Sequence, residues 1–151
     1  MRRLEWLDPG EGASTASLEE LQSEIGRTFP GDYAAFVLRH AGASNPSACA
    51  FAVADEDGNR MRSNFGAVLR LEGLDEESVL GVMRELGEQL PRNAIPVVDT
   101  GFGDYVCLLF PDAGEPTVAY YSHDRPIGKA LLPLAATFSG FLDLLEIPDD
   151  E

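Results

Sequence analysis

The stretch that decides the fold is Ile95-Pro96-Val97-Val98-Asp99-Thr100-Gly101-Phe102-Gly103-Asp104-Tyr105-Val106-Cys107-Leu108-Leu109-Phe110, followed by Thr117-Val118-Ala119-Tyr120-Tyr121-Ser122-His123-Asp124. Its β-branched and aromatic runs, joined by a Pro/Gly/Asp-rich turn, have the composition of buried strands. The first run is interrupted by a Gly-x-Gly-Asp step that needs unusual backbone angles, which predicts a buried hairpin with a kinked start.

Working outward, helices are expected before this hairpin and after it. Ser17 with Glu20 three residues on forms a capping box, with Leu18, Leu21 and Ile25 at helical spacing and Gly26 as terminator. A second helix starts near Pro30, carries Asp32 in its first turn, presents Tyr33, Phe36 and Val37 with His40 beside them, and ends at Ala41-Gly42. After an irregular loop, residues 48–54 read as a strand and Asp57-Gly58 as a hairpin turn; its acids do not have the spacing of a calcium loop. Residues 68–71 read as a short strand, and Asp75 opens a helix through Val79, Val82, Met83, Leu86 and Leu90 that Pro91 closes. The last helix is expected over residues 134–145, with Leu134, Phe138, Phe141, Leu142 and Leu145 on one side.

These elements predict a single α+β domain in which helices pack on a central antiparallel sheet. Residues 1–16 form an anchor at Leu4, Trp6 and Leu7 with a flexible lead-in, residues 17–146 the domain, and residues 147–151 an acidic tail. With 151 residues the chain can bury a core without disulfides or metals, and Cys49 and Cys107, isolated in apolar runs, are expected as buried free thiols.

The charge balance restricts partners. With 26 acidic residues against 11 basic ones the formal net charge is −15, which repels nucleic acid and anionic membrane surfaces and attracts a basic protein. No apolar stretch follows the charged start, and no run approaches the roughly 18 apolar residues of a membrane span, so a cytoplasmic location is expected.

Asp99, Asp104, His123 and Asp124 form the one enzyme-like constellation, suited in residue type to a metal site or an acid/base pair. Carboxylates flanking a glycine turn more commonly accept local backbone hydrogen bonds. No nucleophile elbow or strand-to-helix phosphate loop is present, so neither catalysis nor a cofactor or metal is expected. Asp99, Phe102, Asp104, Tyr120, Tyr121 and Asp124 are instead the expected partner-binding residues, aromatic area beside negative charge being common at interface centres. Adjacent strand residues face opposite ways, so one of Tyr120 and Tyr121 packs while the other is presented, unless helices cover both faces.

The run Leu18-Glu19-Glu20-Leu21, Ile25-Gly26 and Phe29-Pro30-Gly31-Asp32-Tyr33 through Ala41-Gly42 resembles the opening of the SUKH superfamily of Smi/Knr cell-wall-assembly-regulator type, with Phe29 in place of leucine and Ala41 in place of asparagine. Ile95-Pro96-Val97-Val98-Asp99, Gly103-Asp104-Tyr105, Tyr121-Ser122-His123-Asp124 and Ala136-Thr137-Phe138-Ser139-Gly140-Phe141-Leu142 are similar to its later motifs, in the same order. The resemblance implies a non-enzymatic immunity protein that binds and neutralises a polymorphic toxin, such as a basic nuclease. The alternative it implies is an intracellular regulatory or scaffold module.

Overall fold

The computed structural model of the chain describes residues 5–46, 49–126 and 128–146. The expected acidic tail over 147–151, Leu4 of the anchor and Ala48 at the start of a strand lie outside them. In chain order the elements begin with β1 (Trp6–Asp8), α1 (Thr15–Ile25), α2 (Gly31–His40), β2 (Ser44–Pro46), β3 (Ala50–Ala54), β4 (Arg60–Asn64) and β5 (Ala67–Val68). They continue with α3 (Val79–Leu86), β6 (Ala94–Asp99), β7 (Tyr105–Leu109), β8 (Thr117–Tyr121), β9 (Leu131–Ala135) and α4 (Phe138–Asp143).

The expected α+β domain is observed. Seven antiparallel strands form one sheet in the order β1-β2-β5-β6-β7-β8-β9, and β3 and β4 form a separate hairpin. The deciding stretch is a three-stranded meander rather than a hairpin with a kinked start, because Gly101-Phe102-Gly103 is itself the turn between β6 and β7. The kink lies earlier, where the register shifts between Pro96 and Val98: proline has no N–H for the ladder, and Val97 turns its carbonyl to the N–H of Leu69.

β6, β7 and β8 are buried nearly throughout because both faces of the sheet are covered. On one face Tyr120 meets Phe51 of β3 and Ser63 of β4, and Phe51 meets Phe141 of α4 edge-on. Rings then run from Phe141 through Phe138 to Tyr33 and Phe36 of α2, and from Phe36 to Trp6 of β1. The other face carries α3 on β6, and the hydroxyl of Tyr121 reaches Gln89 in the short 3-10 turn after that helix.

Several element boundaries differ from expectation, each for a local chemical reason. α1 begins at Thr15, because Ser14 and not Ser17 accepts the capping N–H; Ser17 is buried and donates to the carboxylate of Glu72. The lead-in is tied to α2, Gly12 and Ala13 donating to the carbonyls of Ala41 and Leu38. Gly10 lies so close that a Cβ there would fall 2.5 Å from the amide nitrogen of Ala43. α3 begins at Val79 rather than Asp75: Ser78 Oγ accepts from Gly81, while Asp75 closes the preceding turn and pairs with Arg70.

The last helix is shorter than expected. Leu134 belongs to β9, an unexpected strand, and α4 starts after Thr137, whose hydroxyl accepts from Gly140. The carboxylate of Asp32 also serves α4, accepting the N–H of Ser139 from across the α2/α4 contact. Cys49 and Cys107 are buried and not joined in a disulfide, and burial pushes the Cys107 thiol up. His40 stacks on Trp6, and burial, with Arg39 beside it, holds it below the ordinary imidazole value.

Candidate functional site

The β6–β7 turn is built by its own hydrogen bonds. Asp99 Oδ1 accepts the Gly101 N–H at 2.7 Å, and the N–H and hydroxyl of Thr100 both donate to the Asp104 carbonyl, at 3.2 and 2.8 Å. Gly101 and Gly103 take φ of 96° and 86°, a region other residues enter only with strain. Between them Phe102 is 70% exposed.

Asp104 does not cap the turn as expected but looks across to β8 and the loop beyond it. Its Oδ2 accepts the Tyr120 hydroxyl at 2.6 Å, and its Oδ1 accepts the His123 N–H at 2.9 Å and lies 2.6 Å from His123 Nδ1. Since the Tyr120 proton is committed to Asp104, Ser63 is the donor in the 2.9 Å contact between the two hydroxyls. His123 Nε2 lies 3.1 Å from Asp124, so both ring nitrogens face carboxylates. The hydrogen bond to Asp104, aided by the charges of Asp104 and Asp124, raises the His123 pKa above its ordinary value. The ring covers Gly103, where a Cβ would sit 3.2 Å from Nδ1.

The residues expected at a partner surface therefore separate. Phe102 and Asp124, whose side chain is 82% exposed, reach solvent, and Asp99 is half-buried at the root of the turn. The Asp104 side chain is only 13% exposed and is spent on Tyr120 and His123. Tyr120 and Tyr121 are 2% exposed each, which corrects the expectation that one of them is presented: α3 covers one face of the sheet and the β3–β4 hairpin the other. Burial accordingly raises both hydroxyl pKa values, and Tyr105 is pushed up to about 12 by burial and the nearby Asp99 charge.

Of the enzyme-like constellation, Asp104, His123 and Asp124 are brought together, while Asp99 turns to the Gly101 amide. The hydroxyls linked to this group, Tyr120 and Ser63, are buried and already hydrogen-bonded. Among the described residues no group of three or more His, Cys, Asp or Glu is arranged to hold a metal ion, and no helix is long and apolar enough to cross a membrane.

A second feature was not anticipated from the sequence. A cleft of about 480 Å³ opens between residues 8–13 and 70–77, lined by Asp8, Glu11, Glu72 and Glu77 around Arg70. A smaller continuation shares Asp8, Gly42, Arg70 and Glu77 and reaches Asp99. Arg70, its one cation, is paired with Asp75 and Glu77. The only sequence signal was the density of acids in residues 8–11 and 72–77, which lie far apart in the chain.

No curated protein matches the chain. The model of the SMI1 / KNR4 family (SUKH-1) matches residues 12–144, from the end of the lead-in through α4, and the chain belongs to that family.

Proposed function

We propose that this chain is a non-enzymatic bacterial immunity protein that acts in the cytoplasm by binding and neutralising a basic toxin domain, a nuclease being the class its charge suits best. Family membership supports a protein of this group, and the carrying observation is the acid surplus. A formal charge of −15 is joined to a cleft with four acids around a single, already paired arginine. A nuclease keeps a cationic groove for phosphates, and such a surface is drawn to an acidic one at long range and matched by it at contact. The same charge disfavours nucleic acid and anionic membranes as direct partners. Asp99, Phe102 and Asp124 are the contact residues that solvent can reach beside the turn; Asp104 supports them from below.

The reading predicts a toxin-domain gene beside this one, and co-expression of the chain with that domain in a bacterial host tests it. The chain is expected to restore growth, and growth arrest despite soluble expression of both proteins would leave the regulatory-module alternative.

A further inference from the structure

We propose that the Gly101-Phe102-Gly103 turn is a preset aromatic anchor: Phe102 enters an apolar pocket on the partner, and the cationic rim of that pocket lies along the acidic cleft that starts at Asp99. The proposal rests on the partner-binding reading above and specifies which side chain holds the partner and what the partner must present.

Phe102 stands apart from the other exposed apolar residues. Leu7, Leu74, Met61 and Leu144 are aliphatic, whereas Phe102 is the one aromatic among the large exposed hydrophobics of the described residues. An aromatic ring brings large apolar area with only two side-chain torsions to freeze, which is why aromatic residues are common among energetically dominant interface residues. Mostly exposed and outside the hydrophobic core and the residues packed against it, that ring adds little to the fold while it stays in water.

The backbone under the ring is fixed before any partner arrives. Asp99 holds the Gly101 amide, Thr100 bonds twice to the Asp104 carbonyl, and His123 lies over Gly103 while bonded to Asp104 through both its amide and its ring. A rigid turn loses little conformational freedom on binding, so more of the contact energy appears as affinity. Asp99 joins the two features: it caps the turn and also lines the end of the cleft that passes Glu77, Arg70 and Asp8. Arg70 is already neutralised by Asp75 and Glu77, so it does little to repel cations brought alongside Asp8, Glu11 and Glu72.

The test is the affinity of the purified full chain for the toxin domain encoded beside its gene, measured by calorimetry on the wild type, Phe102→Ala, Phe102→Trp and Leu7→Ala. Phe102→Ala is expected to weaken binding by about thirtyfold or more, the scale of a dominant interface residue. Phe102→Trp is expected to stay within about fivefold of wild type, and Leu7→Ala, at a residue even more exposed but on β1, within about twofold. Because Phe102 lies outside the hydrophobic core and the residues packed against it, unchanged melting temperatures are expected and serve to separate lost binding from lost fold. Wild-type binding with Phe102→Ala equally tight would overturn the anchor and leave the partner reading standing; absence of wild-type binding would overturn both.

Discussion

Truncating Phe141 to alanine is expected to lower the unfolding free energy by about 3–5 kcal/mol, the ordinary range for a core aromatic. Phe141 is fully buried at the point where three parts of the chain meet, packing its ring on Phe51 of β3, Phe65 just after β4 and Phe138 of its own helix. The cavity left behind cannot collapse easily, because α4 is held at its start by Thr137 and by Asp32 of α2. A domain of this size has only about 5–15 kcal/mol to lose, so the variant should sit near the limit of folding. Phe141→Leu, which keeps most of the volume, should lose no more than about half as much. Urea denaturation followed by circular dichroism measures both; a loss under about 1 kcal/mol for alanine would mean that α4 is not seated on the hairpin as described.

Asp104→Ala is expected to cost about 1–3 kcal/mol and to change how stability depends on pH. The carboxylate receives the Tyr120 hydroxyl, the His123 amide and the His123 ring, so its removal strands the amide and leaves the buried Tyr120 hydroxyl with Ser63 alone. His123 has its pKa raised in the folded protein by this carboxylate. Its contribution is therefore fully present below the unfolded value of about 6.5 and is lost as pH rises through the folded value. In wild type, stability attributable to His123 should fall across that window; in Asp104→Ala the fall should flatten, leaving the smaller part due to Asp124. Asp104→Asn keeps the shape, and should recover part of the stability and none of the full pH response. Equal pH slopes for wild type and Asp104→Ala would show that the pair carries no linkage.

The parts of this fold that were readable from sequence are those whose signals are local. β6, β7 and β8 announce themselves through runs of Val, Ile, Leu and Tyr, and α2 through the spacing of Tyr33, Phe36 and Val37. β4 does not, because Arg60, Met61, Arg62 and Asn64 are exposed and only Ser63 turns inward. β9 is not legible because Pro133 interrupts its strand pattern, and Leu134, at helical spacing from Phe138 and Phe141, draws its end into the expected last helix. At the start of α3 both Asp75 and Ser78 are good capping residues, and only the packing of Gly81 against the Asp75 carbonyl decides between them.

At the candidate site the same division holds. That Tyr120 and Tyr121 face opposite ways follows from strand geometry; that both are covered depends on α3 and on the β3–β4 hairpin, contributed from distant sequence. Asp104 was placed beside the turn by its spacing, but its partners, Tyr120 and His123, come into reach only when β7 and β8 pair. The acidic cleft was hidden for a related reason, since residues 8–13 and 70–77 meet only after the lead-in docks against α2.

On the function proposed above, this acidic domain works by capturing a basic protein. The most direct measurement is the rate of association between the purified chain and the toxin domain encoded beside its gene, followed by stopped-flow fluorescence of Trp6, the chain's single tryptophan, or of a dye on the toxin. A stable complex is predicted, with an association rate that falls roughly tenfold or more as salt rises from about 0.05 to 0.5 M, because screening removes the long-range attraction. No complex, or a rate indifferent to salt, would contradict it.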